Sequence, residues 1–336
     1  MKYKEHINTA NPYREEYLKS IEDIISSRHK DAEKKRVAYF ESMKQNVEEC
    51  RREFVQMLGW PLTDYSYSVP PSNKTLVTEE DDMRAYRVQL QLPIGLKFYG
   101  IYFEHKEGGK LPLVITQHGG DGTAELCSGF FEDGTDNYND MVMRTFNKGV
   151  NVFAPQLLIW KGELHEIPFH RERMDARLKQ VDSSITAIEV YALRKCIDYL
   201  CSLETVDENR IGMIGLSYGG FYTLFTTAVD TRIKAAVSSC FYNSRQKHSW
   251  VDWAWRNSGY RFFDNEIACM VYPRHLSLEV GDKDDLFPPE GAKLEYEKLL
   301  KMTDDHSWID FTVFDGAHEF NKSDENIDTL IDIITR

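Results

Sequence analysis

Gly215-Leu216-Ser217-Tyr218-Gly219 places a serine between two glycines, with the apolar run Ile211–Gly215 before it and a helical pattern after it. A strand that reverses sharply into a helix at a serine leaves no room for side chains two residues to either side, and holds the hydroxyl at a helix N-terminus, where negative charge is favoured. Such a hydroxyl attacks a carbonyl only with a base beside it. His318, in Asp315-Gly316-Ala317-His318, follows the last apolar strand and is the histidine downstream of Ser217 placed at a strand's C-terminal end. His306 precedes that strand and belongs at the opposite edge, and His248 and His275 come before the acid. The acid that fixes the imidazole tautomer should lie after the preceding strand, in Gly281-Asp282-Lys283-Asp284-Asp285-Leu286-Phe287-Pro288. Asp284 is the first choice, three residues after Gly281 and four before the helix-starting Pro288, with Asp282 and Asp285 as alternatives.

Backbone N–H groups must also meet the oxyanion that forms on the carbonyl. Gln117-His118-Gly119-Gly120-Asp121-Gly122 follows another apolar strand, and Gly120 is the preferred donor there, paired with the N–H of Tyr218. Asp121 is the second candidate, and His118 reads as structural. His165-Glu166-Ile167-Pro168-Phe169-His170 resembles a zinc-binding H-E-x-x-H, but the histidines stand one residue too far apart and Pro168 breaks the required helix. No metal or cofactor is expected.

These residues need a frame. Arg87–Leu92 alternates and Lys97–Phe103 is aromatic-rich, and Pro93-Ile94-Gly95 between them predicts an antiparallel hairpin. Strands then alternate with helices: strands at Leu113–Thr116, Val150–Ala154, Ile211–Gly215, Ile233–Val237, Leu276–Val280 and Trp308–Phe314, and helices at 183–201, from Gly219, near 290–301, and at Ile327–Ile334. That alternation implies a mostly parallel sheet covered on both faces. Phe241, Tyr242, Trp250, Trp253, Trp255 and Tyr260 fall between two strands, in an insertion near 241–272. Trp250 and Trp253 are the expected substrate-facing rings, with plain packing as the alternative. A second insertion falls near 157–182.

Residues 14–58 contain neither Gly nor Pro. Phe40, Met43, Val47, Cys50, Phe54 and Leu58 form an amphipathic stripe, as do Leu18, Ile21 and Ile25 earlier. The expected division is an N-terminal helical extension over 1–62 and a catalytic domain over 63–336. The extension reads as an arm packed on the domain, with a homo-oligomer contact through these helices as the alternative.

The 336 residues carry a formal net charge of −13, which argues against nucleic acid or an anionic membrane as partner. There is no run of about 18 apolar residues, the N-terminus lacks a signal-peptide pattern, and the six cysteines form no C-x-x-C pair. A cytoplasmic protein acting on a small-molecule substrate is the expectation.

Over residues 85 to 336 the chain resembles the dienelactone-hydrolase and acetyl-xylan-esterase-like branch of the α/β-hydrolase superfamily, and more distantly the prolyl-oligopeptidase catalytic domain. The resemblance rests on Val206-Asp207-Glu208-Asn209-Arg210-Ile211-Gly212 running into Gly215–Gly220, on Gly281-x-x-Asp284-x-x-Phe287-Pro288, and on Gly316-Ala317-His318. It implies an α/β-hydrolase fold and a Ser217–His318–Asp284 triad. Dienelactone hydrolases usually carry a cysteine where Ser217 stands, which argues against that activity. The expected function is hydrolysis of small acyl esters, such as acetyl groups on sugars. A prolyl-oligopeptidase-type peptidase is the runner-up, although the roughly 80 residues before the hairpin are too few for the propeller those enzymes usually carry. A non-catalytic binding protein is the third reading.

Overall fold

The structure, a computed structural model, describes residues 2–336. Nine strands form one sheet: β1 (Ser72–Glu79), β2 (Met83–Gln91), β3 (Lys97–His105), β4 (Leu111–Gln117), β5 (Asn151–Pro155), β6 (Val206–Leu216), β7 (Ile233–Ser239), β8 (His275–Gly281) and β9 (Ile309–Phe314). Ten helices accompany them: α1 (Asn11–Met43), α2 (Val47–Leu58), α3 (Ala124–Cys127), α4 (Met141–Phe146), α5 (Arg171–Lys179), α6 (Ile185–Leu200), α7 (Tyr218–Val229), α8 (Asp264–Cys269), α9 (Pro289–Leu300) and α10 (Glu325–Thr335). No helix among the described residues is long and apolar enough to cross a membrane.

The sheet order is β1-β2-β3-β5-β4-β6-β7-β8-β9. β5, β4 and β6 through β9 run parallel, and β1, β2 and β3 join antiparallel at one edge. Residues 113–115, 152–154 and 235–237 are wholly buried and apolar, as parallel strands covered on both faces must be. One face packs against α2, α6, α7 and α8, the other against α3, α4 and α10. The predicted hairpin forms, pairing Gln91 with Lys97 across the Pro93–Gly95 turn.

Register is what gathers the chemistry. Gly215 lies beside Gln117 of β4 and Ser238 of β7, Ser239 beside Glu279 of β8, and Gly281 beside Phe314 of β9. The loops that leave β4, β6, β7, β8 and β9 therefore emerge side by side along one sheet edge.

One feature was not expected: β1 is an edge strand that pairs with β2. Its Ser72-Asn73-Lys74-Thr75 start is polar and solvent-facing, so it carries no apolar alternation to read. The arm is two helices, interrupted at residues 44–46, where the Asn46 side chain caps α2 by accepting from Glu49 N at 3.2 Å. Only its later part packs on the body. Phe54 is fully buried, with ring centroids 5.1 Å from Phe225 and 5.5 Å from Phe262. Arg51 donates to the carbonyls of Ala228 (2.7 Å) and Met270 (2.8 Å). Arg36 reaches Glu266 and the carbonyl of Gly259. Residues 12–28 of α1 are exposed throughout.

The α2 contact is thus structural. Phe54→Ala should lower unfolding free energy by about 3–5 kcal/mol, read as a lower urea midpoint.

Candidate active site

Ser217 occupies the corner between β6 and α7 with φ 59° and ψ −120°, a positive φ that a non-glycine residue adopts only under constraint. Its N–H donates to Ser239 O at 2.8 Å. A Cβ on Gly215 would lie 2.2 Å from Gly219 O, and one on Gly219 would lie 2.1 Å from Gln117 O. Both positions require glycine because backbone already fills the space.

The loops that carry Asp284 and His318 meet each other. His318 Nδ1 donates to Asp284 Oδ2 at 2.9 Å, which leaves Nε2 as the basic nitrogen. The other carboxylate oxygen accepts from Leu286 N (2.9 Å) and Phe287 N (2.8 Å), so the buried Asp284 is held from both sides. Asp282 and Asp285 are exposed; Asp282 accepts from Gly316 N, which ties the acid loop to the histidine loop. The imidazole stacks on Phe287 with ring centroids 5.7 Å apart. The Ser217 hydroxyl has no hydrogen-bond partner among the described residues, and serine–histidine bonds of this type commonly tighten only around substrate.

Gly120 N–H and Tyr218 N–H are unpaired among the described residues, whereas Asp121 N–H donates to Ile159 O at 2.7 Å. Asp121 is therefore excluded as the alternative donor. The Gly119–Gly120 turn sits against the corner. A Cβ on Gly119 would lie 3.1 Å from Ser217 Cβ, and one on Gly120 would lie 3.2 Å from the Tyr218 ring. His118 braces the turn from behind, donating from Nδ1 to Gly119 O (2.9 Å) and accepting at Nε2 from Leu157 N (3.1 Å). Full burial pushes its pKa down to about 4, so it stays neutral and structural.

The two insertions hold α5 and α8. Trp250 is half-buried and stacks 4.3 Å from Trp253. Trp253 is buried among Tyr218, Phe221, Phe241 and Phe287. Trp253 therefore packs among other rings, as the plain-packing alternative had it, and of the two tryptophans Trp250 has the accessible ring. His165 lies in a turn and His170 in extended backbone at the start of α5, so the two do not share a helix.

Several supporting residues have no sequence signature. Tyr138 Oη accepts from Gly119 N at 3.0 Å, and Asn137 Nδ2 donates to His318 O at 3.0 Å. Arg171 of α5 donates to Asp252 (2.7 Å), Glu189 (2.9 Å), Tyr222 Oη (2.6 Å) and Leu158 O (2.9 Å). Asp252 in turn accepts from Tyr218 Oη at 3.0 Å. Only their long-range partners reveal them. The donor atoms of Cys240, Asp284 and His318 lie within 4.8 Å of one another. Burial, first, and the nearby Asp284 push the Cys240 thiol pKa up, and the thiol donates to Glu319 O. With one carboxylate oxygen already taken by two N–H groups, the trio suits proton handling rather than a cation.

The profile of the prolyl oligopeptidase family matches residues 186–333. YtaP of Bacillus subtilis (strain 168), provisionally named a hydrolase, is 28% identical over 272 residues, covering 74% of this chain and 85% of YtaP. Acetyl xylan esterase 1 from Thermoanaerobacterium sp. JW/SL YS485 superposes with a TM-score of 0.57 at 16% identity, over 86% of this chain and 92% of that one. The glucuronoyl esterase from Solibacter usitatus gives 0.57 at 14% identity, over 85% and 91%.

The neutral His118 makes a pH prediction. Unfolded, it protonates near pH 6.5; folded, only near 4. Its contribution to stability is complete above pH 6.5 and is lost as pH falls toward 4, by up to about 3 kcal/mol. Urea titrations at stepped pH should show a shallower acid loss in His118→Asn than in the parent protein.

The strand order, the glycine-flanked serine corner and these likenesses together make the chain a serine hydrolase of the α/β-hydrolase fold.

Proposed function

We propose that the protein is a carboxylic-ester hydrolase for small acyl esters, acetyl groups on carbohydrate among them, acting through Ser217, His318 and Asp284. The observation that carries this reading is the Asp284–His318 hydrogen bond of 2.9 Å, built on a carboxylate already fixed by two backbone N–H groups, together with a Ser217 hydroxyl left unpaired at the β6–α7 corner. Ser217 attacks the ester carbonyl as His318 Nε2 takes its proton. The oxyanion is met by Gly120 N–H and Tyr218 N–H, whose donors are otherwise unused. The imidazolium, stabilised by Asp284, returns the proton to the departing alcohol. Water then attacks the acyl-serine by the same route, and the acid is released.

The esterase names of the structural relatives support the ester as substrate. The match to the prolyl oligopeptidase family supports the second reading, a peptidase. Trp250, the accessible ring near Tyr218 (centroids 5.7 Å apart), suits stacking on a sugar face.

A fluorophosphonate probe should label the parent protein and fail to label Ser217→Ala. Asp284→Asn should keep the fold and lose about 10⁴-fold in kcat on p-nitrophenyl acetate. In a panel of p-nitrophenyl acetate, longer acyl esters and aminoacyl p-nitroanilides, acetate should turn over fastest. Turnover of the anilides alone would overturn the esterase reading in favour of the peptidase.

A further inference from the structure

Residues 12–28 of α1 form a run exposed on every side, about 25 Å of helix at 1.5 Å per residue. A helix this long draws most of its stability from covering an apolar face, not from intrinsic propensity. This segment has such a face and nothing on it. Tyr17, Leu18, Ile21, Ile24 and Ile25 recur at steps of three and four and range from 38% exposed (Ile21) to 71% exposed (Tyr17). Further along the same helix, Ala32, Arg36 and Phe40 turn inward and are buried against the body. The stripe therefore changes from covered to uncovered within one continuous helix.

The charges around the stripe say what fits it. Residues 12–23 hold Arg14 and Lys19 against Glu15, Glu16, Glu22 and Asp23, a surplus of two negative charges. Residues 24–35 hold Arg28, Lys30, Lys34 and Lys35 against Asp31 and Glu33, a surplus of two positive charges. A second α1 laid antiparallel across a two-fold axis brings each surplus onto its opposite. With Ile21 set beside Ile24 of the other copy, Arg14 meets Asp31 and Glu15 meets Lys30, while at the axis Glu22 meets Asp23, the one like-charge pair of this register. A parallel pairing sets like against like. The helix dipoles favour the antiparallel arrangement as well, and an isologous contact of this kind closes at two subunits. An anionic lipid surface is disfavoured by the chain's net charge of −13.

We propose that the exposed half of α1 is a homodimerisation element, in which two copies pair antiparallel through Tyr17, Leu18, Ile21, Ile24 and Ile25. The element stands apart from the hydrolase site. Its base is fixed by Arg36, which bonds Glu266 and Gly259 O in the ring-rich insertion.

The test is the solution mass of the full chain by light scattering after gel filtration at tens of micromolar. The expected mass is twice the 39.2 kDa of one chain. Ile21→Glu combined with Ile24→Glu, at exposed positions that leave the core untouched, should give a monomer with unchanged circular dichroism and unchanged p-nitrophenyl acetate turnover. Glu15→Lys should raise the dimer dissociation constant at least tenfold, and adding Lys30→Glu should restore it. A parent protein that runs as a monomer overturns the proposal. So does a dimer indifferent to the Ile21/Ile24 pair, an assembly larger than two, or an effect of Glu15→Lys that Lys30→Glu does not reverse. None of these outcomes bears on the esterase reading, which fails or stands on the substrate panel.

Discussion

The structure depends on a lack of space. Where β6 turns into α7, the carbonyl oxygens of Gly219 and Gln117 occupy the positions that side chains at 215 and 219 would need. Two glycines are forced, and Ser217 between them is driven to φ 59°. The strain persists because neighbours on both sides hold it: β7 takes the Ser217 N–H through Ser239 O, and the turn after β4 presses against Ser217 Cβ. Parallel strands in register supply those neighbours, so the Ser217 corner is a product of the whole sheet.

Around that corner a second layer of polar contacts joins elements far apart in the chain. Arg171, carried by one insertion, binds Asp252 in the other and Glu189 on α6, and Asp252 holds the phenol of Tyr218. Each of these charges is buried and each is paired, the condition under which burial is tolerable. Tyr218, whose backbone N–H is left unpaired among the described residues, is thus anchored through its side chain to both insertions. His118 completes the layer by remaining neutral, one ring nitrogen donating and the other accepting.

Much of this was legible in the sequence. The glycine-flanked serine, the strand–helix alternation and the chain order serine, aspartate, histidine depend on local residue types and spacing. The choice of Asp284 over its neighbours rested on spacing from Gly281 and Pro288; of the three aspartates in that loop it alone is buried. Other features were not legible. Tyr138, Asn137 and Arg171 act through partners that no local pattern announces. Trp253 looked like a pocket wall because composition cannot tell a ring that faces a cleft from one packed beneath it. β1 was invisible because an exposed edge strand needs no apolar face. The arm showed a continuous stripe, and spacing alone could not say where the covering body ends.

The acid and base loops are laced to each other. Asp282 N–H donates to Phe314 O, Lys283 N–H to Gly316 O, and Gly316 N–H to the Asp282 carboxylate. Asparagines at 137 and 139 pin the far side of the histidine loop. The carboxylate and imidazole are therefore bound to each other twice, by their own hydrogen bond and by the backbone of the loops that carry them, so a change in either loop bears directly on the imidazole's tautomer.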